Sequence, residues 1–264
     1  MRIASVRGDR PVLVDPAGDI AFCDGVGDAM ALLDGDVYRS AVESAVFGPG
    51  DSVSFTAPYR RPRKIWGIGL NYRDHASDLS ESVPGEPASF IKGDHTIIGP
   101  GDTIVLPEQS ERVTAEAELG LIIGRYCRDV SPDDALDYVW GVCPVLDQTA
   151  EDILQRNPRF LTRSKNFPTF FSFGPAIVPL GDVGPIEDIV VSTVRNGEEL
   201  RTNTVANMAF GPAALVSFHS KVMPLFPGDI ISPGTPGAVV INDGDTVECR
   251  IPGVGTLINP VRRP

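Results

Sequence analysis

The segment TAEAELGLIIG, residues 114–124, brings two carboxylates together at the start of an apolar run. Alternate side chains of a β-strand point to opposite faces, so Glu116 and Glu118 are predicted to project on the same side. Two like charges about 4 Å apart repel by about 4 kcal/mol at an effective dielectric constant near 20, so a half-buried pair requires a compensating cation or proton. A solvated strand edge would accommodate the same pair without either.

A third carboxylate follows another apolar run. Asp147 is the first polar residue after WGVCPVL, at a strand end where functional side chains are often presented. Three acids around one point would carry three negative charges, and an all-oxygen ligand set suits Mg²⁺, Mn²⁺ or Ca²⁺ rather than zinc. The pattern therefore indicates a divalent-metal site, although Asp147 could instead cap the helix that follows it.

A histidine and an acid lie three residues apart in WGIGLNYRDHASDL, residues 66–79. On a helix Asp78 can face His75, orient its ring and raise its basicity, which describes a general-base pair. The alternative is a surface histidine near a helix start. Gly67 and Gly69 lack the third glycine and the downstream acid of a dinucleotide-binding fingerprint, so that motif is rejected.

One lysine lies in a phenylalanine-rich segment, LTRSKNFPTFFSFGP, residues 161–175. A partly desolvated Lys165 could stabilise a developing oxyanion, or form a Schiff base if its pKa falls. The alternative is a lysine that snorkels above an aromatic core. His219, on or beside the apolar stripe of a predicted packing helix, and His95, in a polar turn, are not assigned to chemistry.

Short strands must position these residues, because apolar runs of four to seven residues alternate with Gly and Pro turns. The predicted fold is therefore mainly β (α+β). Helices are predicted within residues 131–141, 149–158 and 211–224. The segment APYRRPRK resembles a linker, so a small β-rich N-terminal domain, residues 1–60, is predicted to precede a catalytic domain, residues 61–264.

Composition excludes several classes of partner. The net charge is −12, with 35 acidic and 23 basic residues, whereas phosphate binding needs clustered Lys and Arg. The four cysteines are scattered without a CxxC pair, which argues against zinc and disulfide frameworks and favours buried thiols. Without an apolar leader or a run approaching 18 apolar residues, a soluble cytoplasmic protein with no membrane or nucleic-acid partner is expected.

Eight segments resemble the fumarylacetoacetate hydrolase family in their order and approximate spacing. They cover about residues 64–264 and read GLNYRDHASD, FIKGDHTIIGPGD, EAELGLIIGR, ALDYVWGV, LDQTAED, TRSKNF, PGDIISPGTPG and GVGTLINPV. The first sixty residues resemble the small N-terminal domain of some bacterial members. The resemblance implies a mixed β-sandwich roll, a homodimer, and a Mg²⁺ or Mn²⁺ ion held at Glu116, Glu118 and Asp147.

The resemblance also implies the residue roles. His75 with Asp78 would activate water, and Lys165 would stabilise negative charge on the substrate oxygen. The expected substrate contacts are Asn71, Tyr72, Lys92 and Thr235. The implied substrates are 2-oxo acids or 1,3-dicarbonyl compounds, and the leading hypothesis is hydrolysis of a carbon–carbon bond in an acylpyruvate-like molecule. Decarboxylation, isomerisation or hydration at the same metal, a catalytically silent metabolite-binding protein, and a Schiff-base lyase are the alternatives.

Four positions depart from the family pattern. Glu151 stands where the family often has a substrate-holding Arg, and Leu154 where several members have Gln. Pro233 replaces a common Thr, and Asp78 stands where several relatives use Glu. Replacing an Arg fork by an acid weakens any contact with a distal carboxylate, so a less anionic and more apolar substrate is expected.

Overall fold

The computed structural model describes residues 1–50, 53–73 and 85–264, and it is built mainly from β-strands. In chain order the strands are β1 (Arg2–Val6), β2 (Arg10–Val14), β3 (Ile20–Phe22), β4 (Phe55–Thr56), β5 (Ile65–Gly69), β6 (Ala88–Lys92), β7 (Ile97–Ile98), β8 (Ile104–Val105), β9 (Val113–Ile123), β10 (Val139–Ala150), β11 (Phe171–Phe173), β12 (Ala176–Pro179), β13 (Val190–Arg195), β14 (Glu198–Thr204), β15 (Ile230–Ser232), β16 (Val239–Ile241), β17 (Thr246–Ile251) and β18 (Gly255–Arg262). The α-helices are α1 (Gly35–Ser44), α2 (Glu151–Arg156), α3 (Leu161–Lys165) and α4 (Pro212–Val222). Short 3₁₀ turns cover Ala31–Leu33, Asp94–Thr96, Ala135–Tyr138, Pro158–Phe160, Leu180–Asp182, Ile186–Asp188 and Val205–Asn207.

Two sheets contain these strands. The larger sheet has the order β3-β2-β1-β12-β10-β9-β15-β5-β6, with β4, β7, β11 and β16 pairing beside this path. The smaller sheet has the order β14-β13-β17-β18-β8. Most neighbours are antiparallel, whereas β15 with β5, β11 with β7 and β18 with β8 are parallel. The predicted fold class, mainly β with mixed sheets and few helices, is confirmed.

The long antiparallel pair β9 and β10 lies at the centre of the larger sheet and positions the candidate acids. Its register places Glu116 opposite Asp147 and Glu118 opposite Val145. On the other face of β9, Leu119 and Leu121 are fully buried in a core that β13 and β17 also contact. A slip of one residue would turn the acids into that apolar core and the leucines toward the buried polar face, so the contrast between the two faces specifies the register.

The N-terminal strands continue the larger sheet rather than forming a sheet of their own. β1 pairs with β12 through Ile3 and Ile177, and residues from both parts of the chain share one apolar cluster. That cluster includes Leu13 from β2 and Cys143 from β10. The division into two domains near residue 60 stays a prediction about folding units, since the two parts share a sheet and a core.

The helices differ from expectation at four places, one of which is the short helix α3 (Leu161–Lys165), which was not predicted. The segment 131–141 forms only the 3₁₀ turn Ala135–Tyr138, because Val139 and Trp140 already belong to β10, where branched and aromatic side chains pack well. Helix α2 begins at Glu151 because the two residues before it remain in β10. Helix α1 was not expected, and it buries no side chain completely. Within the described ranges, no helix is both long enough and apolar enough to span a bilayer.

Candidate metal centre

Three carboxylates converge on one face of the β9–β10 pair. One oxygen from each of Glu116, Glu118 and Asp147 lies within 4.8 Å of the other two. Glu118 and Asp147 are buried, and the Glu116 side chain is 15% exposed. Three acids in so small a buried volume require positive charge, and their all-oxygen donor set fits Mg²⁺, Mn²⁺ or Ca²⁺. The predicted ligand residues are therefore brought together.

Lys165, the last residue of α3, bridges two of these carboxylates. Its Nζ donates to Oε2 of Glu116 at 2.9 Å and to Oδ2 of Asp147 at 2.8 Å. The ammonium also lies 4.8 Å from the centre of the Phe90 ring. Burial alone would lower the pKa of Lys165, but the two carboxylates outweigh it and raise that pKa above the usual value. Lys165 therefore remains a cation at neutral pH.

A second lysine, Lys92 at the end of β6, supports the cluster from inside the protein. Its Nζ donates to Oδ1 of Asp147 at 2.6 Å, to the backbone oxygen of Lys165 and to that of Gln148 at 3.4 Å. Burial lowers the pKa of Lys92, while Asp147 counteracts this effect. Because all three contacts are with protein oxygens, Lys92 holds Asp147 and the end of α3 in place.

Hydroxyl and amide donors orient the two glutamates. Thr149 Oγ1 donates to Oε1 of Glu116 at 2.9 Å, and Ser232 Oγ donates to Oε2 of Glu118. The backbone N–H of Gly234 donates to the same Glu118 oxygen at 2.9 Å. Burial, followed by the charges of Asp147 and Glu116, nevertheless raises the pKa of Glu118. Glu118 thus favours a proton or a nearby cation.

Asn71 holds the turn that supports Glu118. Its Nδ2 donates to the backbone oxygens of Phe210 at 2.9 Å and Pro233 at 2.7 Å, and its Oδ1 accepts from the N–H of Phe210. Both ends of the amide are thereby engaged with backbone groups. The predicted contact between Asn71 and substrate stays a prediction, and the structure adds a supporting role beside Gly234.

The other predicted substrate residues lie close to the same turn or to the acids. Thr235 is buried, and its Oγ1 donates to the backbone oxygen of Gly237 at 3.2 Å. Tyr72 is fully buried, and its hydroxyl has no hydrogen-bond partner within the described part of the chain. Burial and then the charge of Glu118 raise the pKa of Tyr72. The unsatisfied hydroxyl is therefore a donor available near Glu118.

The predicted general-base pair, His75 and Asp78, lies outside the described residues. Two residues of the cluster were missed from the sequence. Thr149 follows Asp147 by two positions, so strand alternation alone could have placed it on the carboxylate face. Ser232 lies 114 residues from Glu118, and no local signal connects them.

Glu151, one of the four positions that depart from the family pattern, forms an ion pair. Oε2 of Glu151 accepts from Nε of Arg112, and the N–H of Glu151 donates to the backbone oxygen of Arg112 at 2.9 Å. Arg112 lies one residue before β9, and Glu151 is the first residue of α2. The acid at this position is therefore ion-paired with an arginine that directly precedes β9.

The sequence of this chain is similar to those of known proteins. A model of the fumarylacetoacetate (FAA) hydrolase C-terminal domain matches residues 64–262. The mitochondrial oxaloacetate tautomerase Fahd2a of Rattus norvegicus is 34% identical over 221 residues, which cover 81% of this chain and 71% of the relative.

Solved structures extend the similarity to the whole chain. A 5-carboxymethyl-2-hydroxymuconate delta-isomerase from Mycobacterium smegmatis has a TM-score of 0.83 and 30% identity, with complete coverage of both chains. Maleylpyruvate hydrolase from Sphingobium sp. SYK-6, in complex with manganese(II) and pyruvate, has a TM-score of 0.85 and 28% identity, covering 100% of this chain and 99% of that one. The similar proteins thus include a tautomerase, an isomerase and a hydrolase.

Proposed function

Since this chain belongs to the fumarylacetoacetate hydrolase family, we propose that it is a metal-dependent hydrolase that cleaves a carbon–carbon bond in an acylpyruvate-like 2-oxo acid. The observation that carries the proposal is the convergence of Glu116, Glu118 and Asp147, with the ammonium of Lys165 ion-paired to Glu116 and Asp147. Carboxylates attract a divalent cation, and the lysine supplies a fixed positive charge beside it. A similar protein of known structure holds manganese(II) and pyruvate.

The metal and the lysine would have distinct tasks. A Mg²⁺ or Mn²⁺ ion held by the three carboxylates would act as a Lewis acid toward the oxo group of the substrate. Lys165 is ion-paired with Glu116 and Asp147, so its ammonium would stabilise negative charge that develops on the substrate oxygen. A Schiff base would require a neutral amine, which the two ion pairs of Lys165 disfavour.

The water-activating groups are proposed from the sequence. His75, oriented by Asp78, removes a proton from water, and the oxygen bonds to the distal carbonyl carbon of the substrate. The electron pair of the broken carbon–carbon bond passes to the pyruvate fragment, which takes the proton back from His75. The products are pyruvate and a carboxylic acid.

A second candidate is tautomerisation or isomerisation of a 2-oxo acid without bond cleavage. Its support is that the tautomerase and the isomerase named above are 34% and 30% identical to this chain, against 28% for the hydrolase. Hydrolysis and tautomerisation would both develop negative charge on the oxo oxygen of the substrate. The same carboxylates and Lys165 would therefore serve either reaction.

The deciding experiment incubates the protein with acetylpyruvate and with oxaloacetate, in Mg²⁺, in Mn²⁺ and in EDTA. Cleavage products are identified by mass, and enol–keto conversion, which leaves the mass unchanged, is followed by the ultraviolet absorbance of the enol. Hydrolysis predicts pyruvate and acetate from acetylpyruvate, lost in EDTA and in Glu118→Gln. The control is Glu248→Gln, an acid ion-paired to Arg250 on β17. Faster enol–keto conversion of oxaloacetate without cleavage of acetylpyruvate would favour the second candidate. Full activity of Glu118→Gln in EDTA would contradict a metal-dependent reaction.

A further inference from the structure

Phe90, on β6, lies beside the ammonium of Lys165. The Phe90 side chain is 7% exposed, and the centre of its ring lies 4.8 Å from Nζ of Lys165. A cation within about 6 Å of a ring centre is attracted by the negative charge of the ring face, and the attraction is stronger where water is excluded. Both side chains are buried, so the ring contributes to where the ammonium rests.

Strand β6 contacts both ends of Lys165. Phe90 and Lys92 are two positions apart, so their side chains project on the same side of the strand. Phe90 lies against the ammonium, while Nζ of Lys92 donates to the backbone oxygen of Lys165. Lys165 has a long side chain with several rotatable bonds, and the residue ends the five-residue helix α3. Contacts at both ends therefore restrict an ammonium that would otherwise sample many positions.

The ring leaves part of the ammonium free to bind substrate. Two N–H groups of Lys165 donate to Glu116 and Asp147, and within residues 1–50, 53–73 and 85–264 the third has no hydrogen-bond partner. An acid in place of Phe90 would take up that N–H and neutralise the cation. An aromatic ring attracts the cation and still leaves one donor for a substrate oxygen.

Gly67, on the neighbouring strand β5, provides the space that the ring occupies. The register places Gly67 directly opposite Phe90. A Cβ on Gly67 would lie 2.3 Å from Cε2 and from Cζ of Phe90, a separation at which the ring has to move. A Cβ on Gly69 would have one neighbour within 4 Å in the described part of the chain, the backbone oxygen of Ala88 at 3.7 Å. Of these two glycines, only Gly67 is tied to the placement of the ring.

We propose that Phe90 is a positioning residue whose ring holds the Lys165 ammonium in the place where it acts on substrate, and that the absence of a side chain at Gly67 admits this ring. The proposal rests on the proposed function, because it assumes that Lys165 stabilises charge on the substrate oxygen. Phe90 acts through Lys165 and not on the substrate itself.

The first test replaces Phe90 with 4-fluoro-, 3,5-difluoro- and 3,4,5-trifluorophenylalanine. Each fluorine withdraws electrons from the ring face and weakens its attraction for a cation, while the shape of the side chain hardly changes. With Mn²⁺ and whichever of acetylpyruvate and oxaloacetate the protein converts, kcat is expected to fall stepwise to about one tenth, with KM nearly unchanged. The same series at Phe173, a fully buried ring in another cluster, is expected to leave kcat unchanged.

Substitutions on the two strands provide a second test. Phe90→Leu and Gly67→Ala are each expected to lower kcat about tenfold, whereas Gly69→Ala, the matched control, retains the wild-type kcat. The double variant Gly67→Ala/Phe90→Leu is expected to lose no more than Phe90→Leu alone, because Gly67 acts only through the ring. Urea unfolding of each variant establishes that it is folded under the assay conditions.

A readout independent of turnover observes the lysine directly. In metal-free protein labelled with ¹³C-lysine, the protons on Cε of Lys165 are assigned by their absence in Lys165→Met. The ring current of Phe90 is expected to displace their chemical shift in wild type and in Gly69→Ala. This displacement is expected to disappear in Phe90→Leu and in Gly67→Ala.

Four results would overturn the proposal. They are an unchanged kcat across the fluorinated series at Phe90, equal losses in Gly69→Ala and Gly67→Ala, additive losses in the double variant, and a Lys165 chemical shift that is the same in Phe90→Leu as in wild type. If wild type converts its substrate and kcat does not respond to fluorination, only the positioning role fails. If wild type with Mn²⁺ converts neither acid, the proposed function fails and the positioning role with it.

Discussion

At the residue scale, charge balance governs the candidate centre. Glu116, Glu118 and Asp147 bring three negative charges, and Lys92 and Lys165 return two positive charges through direct hydrogen bonds. Buried charges persist only when they are paired, so each lysine stabilises ionised acids that water would otherwise solvate. The third negative charge, that of Glu118, favours either a proton or a further cation at the same place.

Lys165→Met is expected to lower kcat by about 10² to 10³, the effect of removing one group that stabilises a developing oxyanion. Lys165→Arg keeps the charge but changes its shape, so it is expected to recover part of the loss. Steady-state kinetics would measure kcat of both variants with the substrate that the incubations with acetylpyruvate and oxaloacetate identify. Unchanged kcat in Lys165→Met would show that the ammonium does not act on the reaction.

His219 on α4 gives a pH dependence of stability that is separate from the metal centre. Burial lowers the pKa of His219, partly offset by its hydrogen bond to the backbone oxygen of Leu215, and no charged group among residues 1–50, 53–73 and 85–264 contributes to the shift. The unfolded chain therefore takes up this proton first. The neutral His219 side chain therefore makes its full contribution to the free energy of unfolding above its unfolded-state pKa of about 6.5. This contribution is lost as the pH falls below that value.

His219→Gln is accordingly expected to reduce the loss of unfolding free energy between pH 7.5 and pH 5.5, measured by urea titration. His95→Gln, which changes an exposed histidine, serves as the control. Equal losses in wild type and His219→Gln would assign the acid sensitivity to other groups.

At the element scale, the turn after β15 determines how Glu118 is held. Ser232 ends that strand, and Gly234 follows with a φ of +103°. A Cβ on Gly234 would lie 3.0 Å from Cβ of Asn71, the residue whose amide holds Pro233. Only glycine adopts this backbone without strain, and that backbone directs an N–H at the Glu118 carboxylate.

Gly234→Ala is expected to cost about 1–3 kcal/mol of unfolding free energy through backbone strain, and to weaken divalent-metal binding about tenfold by displacing a donor to Glu118. Gly197→Ala is the matched control, because Gly197 has a φ of +83° but open space around its Cβ position. It should lower stability and leave metal affinity unchanged. Calorimetric metal titration with chemical denaturation separates the two effects, and equal metal affinity in Gly234→Ala would contradict this role of the turn.

At the scale of the whole molecule, the N-terminal strands and the central sheet share a core. Leu13 is fully buried in the cluster that also contains Val145 and Phe173, which come from β10 and β11. The ring of Trp140 in β10 contacts Tyr38 of α1 edge-to-face, with centroids 5.2 Å apart. Removal of either part would expose apolar surface of the other.

Leu13→Ala is therefore expected to lower the unfolding free energy by about 2–5 kcal/mol in a single transition of the whole chain. Leu119→Ala, fully buried in the other core, should shift the same transition. Tryptophan fluorescence and circular dichroism during urea unfolding would measure both. Two separate transitions, with Leu13→Ala moving only one, would instead support an independent domain over residues 1–60.

The sequence alone was sufficient to predict the strand-rich class and the carboxylate set. Period-two alternation over TAEAELGLIIG places Glu116 and Glu118 on one face, and Asp147 is the first polar residue after the apolar run WGVCPVL, so local patterning carries this information. The structure places Asp147 inside β10 rather than after it. The helical spacing of the apolar residues within 211–224 predicted helix α4, which the structure places at Pro212–Val222. Signals of this kind extend over only a few residues.

Only the tertiary structure decided which distant groups surround those acids. Lys92 and Ser232 lie 55 residues from Asp147 and 114 from Glu118, and the sheet order, not sequence spacing, brings them into hydrogen-bonding contact. The pairing of Arg112 with Glu151 likewise depends on the register of β9 with β10. Charge and hydrogen-bond partners are set by three-dimensional proximity, which local propensity does not encode.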